Sequence, residues 1–576
     1  MYKYEKESII KKLNSILHLN ANNMDTEQCY YLCANKEKLR ALLQHENQVI
    51  FGRRGTGKTT IFKAFSYYIN HIYKEEDKTI SCWYTRLDEC IPHSIEVSSE
   101  RAEDIVVISI NKFLSKFVDF LIEDYKKIEA KRKFKNARLE QISEKLLALS
   151  YLIKEGSKKR EKTSEARIIH KKTSAEKDKE LGITPSNQLN LFQWLKLQFK
   201  FKKVTLNEIG TTTEIDYIYS IDINEIKIEI NELVNLMGYD SVYICIDEFT
   251  QIDRDFEYTI QPKVAQLLKE LFFNSKTFII KIASVWNLSR MQMRQLNGNR
   301  EGLELGQDIF TNRELNLDIM FNNDNDNAYR FFKDVLVNNY LMYESPVSDR
   351  ERDLLGNYII EALFSQGSFR HLICGSQGIP RVFGILLTNC IHKLENRERD
   401  KITVEMVFES VIDNYVYDVR PSIPYSLPIC SGIEEYVMRT KRRFFLLDIN
   451  DYNKSINYFD GLVANNALHQ CPSEQLPKGI RNKYKLFYTH YGNYLECFKD
   501  GITKLHQDTG KVGEGLLYPK MPENFAMEVE KYIFKLPTGA LDKFYCTYCH
   551  KYFEKSTDNS NVTVCPECGR VIALWG

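Results

Sequence analysis

The sequence predicts an α/β fold built on a parallel sheet with helices on both faces, followed by a helical region, a small α+β domain and a metal-stapled tail. Three observations carry this reading. Gln48 to Ile72 (QVIFGRRGTGKTTIFKAFSYYINHI) runs as a strand, a glycine-rich loop and a helix without a break. Ser241 to Glu248 (SVYICIDE) is an apolar strand ending in two acids, with helical periodicity between the two stretches. Two Cys-x-x-Cys pairs close the chain. Strands alternating with helices imply a parallel sheet covered on both sides.

Taken in order, residues 1–47 form a polar helical lead-in, a possible edge strand at Gln28 to Cys33 (QCYYLC), and a short amphipathic helix through Leu39, Leu42 and Leu43, a segment expected to brace the core. Val49, Ile50 and Phe51 are the buried run of the first strand. Gly52, Arg53, Arg54, Gly55, Thr56, Gly57, Lys58 and Thr59, with Thr60 behind them, satisfy the pattern G-x-x-x-x-G-K-[ST]. Its glycines let backbone N–H groups close around phosphates while a lysine, here Lys58, reaches the outer oxygens. Thr59 is placed for its hydroxyl to meet Mg²⁺, and the helix it opens turns its positive end toward the anion. Ile61, Phe62, Phe65, Tyr68, Ile69 and Ile72 recur at helical spacing behind the loop.

Thr79 to Tyr84 reads as the second strand and Ile105 to Asp124 as a long amphipathic helix. From Lys126 to Lys179 there are eighteen Lys and Arg against eight Asp and Glu. Leu139, Ile142, Leu146, Leu149 and Ile153 keep a helical stripe there, so a helical hairpin projecting from the core is expected, either a solvated arm or a basic arm touching phosphates. Lys200 to Thr205 with Glu214 to Tyr219 reads as a small hairpin, and Ile223 to Met237 as a helix. At the mouth of the next strand Asp247 can hold the Mg²⁺ shell and Glu248 can polarise an attacking water. Thr277 to Val285 is a further strand, ending at Ser284 and followed by Arg290, Arg294 and Arg300. Asn327 to Leu341 opens a helical region in which Gly378 to Arg381 (GIPR) starts the helix Val382 to Lys393.

A P-loop, a strand ending in Asp-Glu, a polar residue ending the next strand and a G-x-P-R on a following helical lid resemble AAA+ ATPases, most closely the origin-recognition or initiator-like clade. The resemblance spans roughly residues 28–420. It implies an ATP-hydrolysing switch with ATP and Mg²⁺ as ligands, Ser284 as sensor 1 and Arg381 as the sensor 2 arginine. It also implies a homo-oligomer in which an arginine finger, Arg290, Arg294 or Arg313, acts in trans on a neighbour's nucleotide.

Arg420 to Pro428 has a linker's proline content. Beyond it come helices around Ile433 to Arg439 and Ser455 to Ala467, then strands Lys483 to Tyr491 and Tyr494 to Phe498 joined by a Gly492-Asn493 turn. Helix followed by hairpin resembles a winged helix. Arg439, Lys441, Arg442 and Arg443, with Lys478, Arg481, Lys483 and Lys485 on the wing, suit phosphate contacts, whereas the candidate recognition helix offers only Asn457, Asn465 and Asn466. Such a module serves either nucleic acid or protein.

Cys546, Cys549, Cys565 and Cys568, with fifteen residues between the pairs, have the spacing of a four-thiolate Zn²⁺ ribbon. So short a segment needs its metal to fold, and structural zinc supplies about 10 to 16 kcal/mol in comparable peptides. Four thiolates close the site, making it structural.

These readings divide the chain into 1–47, a nucleotide core 48–320 with a basic insertion at about 126–200, a helical lid 321–420, a winged-helix-like domain 429–540 and a ribbon 541–576. At 576 residues, 43% hydrophobic and 27% charged, the composition is that of ordinary globular domains. A net charge of +1 leaves polyanion contact to local patches. No leader or membrane span is read, and scattered cysteines suit a reducing, cytoplasmic setting. Two functions are expected: an ATPase switch engaging nucleic acid, duplex DNA first, or an ATP-dependent regulator in phage defence or a mobile element that docks a partner protein.

Overall fold

The computed structural model describes residues 6–17, 21–34, 36–73, 79–91, 102–130, 136–155, 222–252, 260–273, 275–285, 288–294, 300–311, 325–342, 348–423, 427–471, 476–498, 525, 527–537 and four short strands in 543–573. The expected hairpin at 200–219, Arg313 and the four ribbon cysteines lie outside them.

Five parallel strands form the central sheet: β1 (Gln48–Phe51), β2 (Ile80–Arg86), β3 (Ser241–Asp247), β4 (Phe278–Ser284) and, beyond a small antiparallel pair β5 (Gln292–Arg294) and β6 (Arg300–Gly302), β7 (Phe310–Thr311). Their order is β2-β3-β4-β1-β7, so β4 separates β1 from β3. Period-two side-chain alternation sorts the strands onto two faces. Val49, Phe51, Val242, Ile244, Ile246, Ile280 and Ile282 pack on one, while Ile50, Cys82, Tyr243, Cys245, Ile279 and Ala283 pack on the other.

The second face is covered by α4 (Lys58–Tyr67) and by α2 (Thr26–Leu32) and α3 (Lys36–Leu42). The edge strand expected at Gln28 to Cys33 is therefore helix: Asp25 and Gln28 form a reciprocal capping box at its start. The first helix, α1 (Lys6–Leu17), does not brace the sheet either, because Ile9, Ile10 and Leu13 sit in the core of the helical region. The first face is covered by α5 (Ala102–Ala130), α6 (Asn136–Glu155), α7 (Ile223–Met237) and α8 (Ile260–Leu268).

Of the helical hairpin expected in the basic stretch, α6 is described and residues 156–179 lie outside the described residues; α6 does not project. Its stripe residues Leu139, Ile142, Leu146, Leu149 and Ile153 are all buried in the main core. Lys145 ties it to α7 through Glu229 at 3.0 Å and Glu232 at 2.6 Å. Packed against α5 and α7, this stripe is stabilised at roughly 25 cal/mol per Å² of apolar surface removed from water.

The helical region comprises α9 (Asn325–Tyr340), α10 (Asp349–Leu363), α11 (Ser368–Ser376), α12 (Pro380–Asn396) and α13 (Val404–Asp413). After the proline-marked connection come α14 (Leu427–Thr440), β8 (Phe444–Asp448), α15 (Ile449–Lys454), α16 (Ile456–Ala464), β9 (Leu468–Cys471), β10 (Tyr484–Thr489) and α17 (Tyr491–Cys497). The three strands form an antiparallel sheet in the order β8-β10-β9.

The hairpin expected around Gly492-Asn493 is corrected here. Residues 494–498 are not a strand; His490 caps α17, accepting the Gly492 N–H at 2.9 Å, and Tyr491 and Leu495 turn into the core of the helical region. The hairpin is instead β9 with β10, and the segment between them carries exposed Lys478 and Lys483. Arg443 is buried and Arg442 lies over the Tyr532 ring at 4.2 Å, so neither is a free surface cation.

At the end of the chain, β11 (Lys543–Tyr545) pairs with β12 (Tyr552–Glu554), and β13 (Val562–Val564) with β14 (Val571–Ala573), both antiparallel.

Candidate nucleotide site

Parallel strands deliver their carboxyl ends to one edge of the sheet, where ligands of open α/β folds bind. The loop after β1 meets there with Asp247 and Glu248 after β3 and Ser284 at the end of β4. Gly52 N–H donates to the Ser284 carbonyl at 3.2 Å, fixing the start of the loop to β4. Gly55 and Gly57 hold φ of 85° and 95°, left-handed values that side chains with a Cβ adopt reluctantly.

The expected four-residue constellation is assembled. The Thr59 hydroxyl donates to Asp247 Oδ2 at 2.7 Å, across 188 residues of sequence. Lys58 Nζ donates to the carbonyls of Gly52 at 2.6 Å and Arg53 at 2.9 Å, curled over its own loop. Asp247 is buried, and its Oδ1 accepts the Glu248 N–H at 2.9 Å. Glu248 stands in the left-handed region at φ 56°, with Oε2 accepting from Gln251 Nε2 at 3.2 Å. Strain of this kind, about 1–2 kcal/mol for a residue other than glycine, recurs at functional sites. The hard oxygens of Thr59 and Asp247 are the donor types Mg²⁺ takes.

Ser284 is buried at the end of β4 and shares a 2.8 Å hydrogen bond with Ser289. Arg381, in the first turn of α12, reaches the loop directly: its N–H donates to the Gly55 carbonyl at 3.3 Å. A Cβ on Gly55 would lie 3.0 Å from both Arg381 Cβ and Ile379 Cγ2. Thr56 donates to the Arg53 carbonyl at 2.9 Å and closes the turn. Of the candidate finger arginines, Arg294 is on β5 and Arg290 follows β4. Arg290 faces its own chain, close enough to Asp460 on α16 to oppose the effect of burial, which raises that carboxyl to about 6.

One contributor is not read from sequence. Tyr84, near the end of β2, donates its hydroxyl to Asp247 Oδ2 at 3.2 Å; burial first, then the carboxylate, holds this phenol well above its usual range. Its part depends on β2 lying beside β3, a strand order no periodicity reveals. Arg53, expected with the rest of the loop to bind the nucleotide, is corrected in its side chain, which is buried and donates from Nη2 to the Gln377 carbonyl at 3.1 Å.

The parallel sheet, the glycine loop opening α4 and the carboxylate delivered by β3 define an α/β fold of the P-loop type. No protein-family model matches the chain, and the comparison with curated proteins gives no match. Among solved structures, the chain is similar to the ORC2 protein of Aeropyrum pernix in its ADPNP-ADP complexes, at 10% identity and a TM-score of 0.28, covering 82% of this chain and 94% of that one. The ADP form of the same protein gives 9% identity and a TM-score of 0.25, covering 82% and 93%. Scores this low do not establish a common fold, and the chemistry of the site rests on its own geometry. Among the described residues no helix is long and apolar enough to cross a membrane, and no group of three or more His, Cys, Asp or Glu is placed to hold a metal.

Proposed function

We propose that this chain is an ATP-binding and ATP-hydrolysing switch of the AAA+ type, resembling initiator-like ATPases. The observation that carries the proposal is the Thr59 to Asp247 hydrogen bond, which joins the two halves of the motif at the mouth of the sheet. Backbone N–H groups of 52–59 cradle the phosphates, and Lys58 leaves its carbonyls for their outer oxygens. Thr59 and Asp247 would hold Mg²⁺, which would supply neutralisation of the phosphate charge. Glu248 orients the attacking water and takes its proton, and Arg381 approaches the γ-phosphate from the lid, with Ser284 on the opposite side of the loop. A homo-oligomer would complete the site with an arginine from a neighbour, Arg294 or Arg313 before Arg290, which faces its own chain.

Lys58→Ala removes a charge-assisted contact of about 1.5–3 kcal/mol, so nucleotide affinity falls about 10- to 150-fold by calorimetry. Glu248→Gln keeps binding and lowers turnover by about 10²- to 10⁴-fold. Equal turnover in Glu248→Gln and wild type would end the hydrolytic reading.

The element order helix, strand, two helices and a β-hairpin in residues 427–489 supports a winged-helix-like module, with Lys478 and Lys483 on its wing. Duplex DNA is its first candidate ligand. The burial of Arg443 and the stacking of Arg442 favour the second reading, a module that docks protein. Salt separates the two: contact with several phosphates weakens steeply between 50 and 200 mM, by roughly 10³-fold for about six contacts, and a largely apolar interface does not.

Each Cys-x-x-Cys lies in the connection of an antiparallel strand pair, Cys546 and Cys549 between β11 and β12, Cys565 and Cys568 between β13 and β14. Four cysteines at this spacing suit one Zn²⁺ ribbon. One zinc per chain by elemental analysis, lost in Cys565→Ser, is the expected result.

A further inference from the structure

The outer side of the phosphate loop is covered by the lid and the C-terminal domain together. Arg53 is only 3% exposed, and its guanidinium reaches Gln377, which stands at φ 52° where α11 ends and the turn into α12 begins. The Arg53 and Arg443 charges also bear on His469 of β9 and His490 at the start of α17. Burial is the larger cause that keeps both imidazoles neutral, and the two guanidiniums add to it. One loop residue thus meets two domains.

Those two domains are packed into one another. Tyr491 and Leu495 of α17 are part of the lid's own core. Arg443 Nη1 donates to Cys374 Sγ on α11 at 3.4 Å and lies 4.6 Å from the centre of the Tyr491 ring. His490 stacks on Tyr415 at 5.3 Å, and at Gly492 the backbone approaches Val411 O so closely that an added Cβ would stand 2.5 Å away. Interiors packed this way shift as units and do not deform continuously.

At the loop end of the connection the Lys58 ammonium donates to the Arg53 carbonyl at 2.9 Å. When an outer phosphate oxygen draws that ammonium away, the peptide that carries the Arg53 side chain loses a charge-assisted bond, while the guanidinium stays pinned to Gln377.

We propose that Arg53 is a positioning residue that transmits phosphate occupancy of the loop to the joined lid and C-terminal domain, so that the bound nucleotide sets the placement of the C-terminal surface bearing Lys478 and Lys483. The inference rests on the nucleotide site proposed above. Two states read at both ends define a coupling, typically about 5- to 150-fold.

The test is hydrogen exchange on the full chain, with Mg²⁺ and either ADP or a non-hydrolysable ATP analogue, each protein at nucleotide concentrations that saturate it. In wild type, amides of 468–471 and 491–497 change exchange rate by about fivefold or more between empty and loaded states. In Arg53→Gln that dependence collapses, whatever the absolute protection. If Arg53→Gln does not fold or cannot be saturated, His490→Asn makes the comparison from outside the loop, because Asn keeps the cap on α17 but removes the ring beside the arginines. Saturable binding with no exchange response in wild type, or a full response in the variants, overturns the coupling and leaves the nucleotide site standing. Absence of any nucleotide binding in wild type overturns both.

Discussion

At the scale of single residues, the site concentrates conformational cost where chemistry is expected. Glu248 is a non-glycine residue at φ 56°, held by the end of β3 and by Gln251. Removing the side chain relieves a left-handed penalty of about 1–2 kcal/mol but gives back about 0.5–1 kcal/mol of backbone entropy to the unfolded chain. The two nearly offset with the balance toward strain relief, so Glu248→Gly unfolds at or slightly above the wild-type denaturant midpoint while ATP turnover is abolished. A loss of more than about 1 kcal/mol in that variant would mean that the carboxylate is a structural tie. The meeting of Thr59 with Asp247 was legible, because a glycine loop opening a helix and an apolar strand ending in two acids each admit few residue types. Tyr84 and the outward turn of the Arg53 side chain were not. Their roles come from neighbours supplied by sheet order and domain packing, and neither leaves a trace in local spacing.

At the scale of elements, periodicity predicted well wherever one face decides the fold, and α7 spans the very residues that its stripe marks out, Ile223–Met237. It failed at two short segments. Gln28 to Cys33, expected as a possible edge strand, is helical, and Asp25 with Gln28 three residues on is a helix-start signature. Residues 491–498 were read as turn and strand because Gly-Asn suggests a hairpin, although Tyr491 and Leu495 already had helical spacing. The tertiary reason is the lid, which takes both side chains into its core. Gly492 permits that approach: an added Cβ would meet Tyr415 Cβ at 2.4 Å and the Val411 carbonyl at 2.5 Å. Alanine in a helix is favoured over glycine by about 1 kcal/mol, but overpacking against backbone that cannot yield costs about 1–3 kcal/mol. The clash wins. Gly492→Ala should lower the denaturation midpoint of the C-terminal unit, and a midpoint equal to wild type would show that α17 is not wedged against α13.

At the scale of the whole molecule, the joint between phosphate loop, lid and C-terminal domain holds two guanidiniums and two neutral imidazoles, faced by Cys374 from α11, Tyr491 from α17 and Tyr415 from the segment after α13. Burial lowers His490 from 6.5 to about 3 and His469 well below 6.5, with Arg443 and Arg53 adding to both. For each, the unfolded chain binds a proton that the folded chain refuses once pH drops below 6.5. Stability therefore falls with pH from there, at up to about 1.4 kcal/mol per unit per imidazole. Asp460 acts in the opposite direction: burial raises it from 3.8 to about 6, so the folded chain holds a proton that the unfolded chain releases between those values. At the joint itself the two imidazoles set the direction, so its contribution to stability is lost as pH falls below 6.5. Because the imidazoles belong to the joint, protonation should part the C-terminal domain from the loop before the sheet unfolds. Urea titrations at pH 7.5, 6 and 5, followed by C-terminal exchange protection, should show this loss in wild type and a shallower pH dependence in His469→Gln/His490→Asn. An unchanged slope in the double variant would assign the acid sensitivity to carboxylates elsewhere, and the joint would then be stable to protonation.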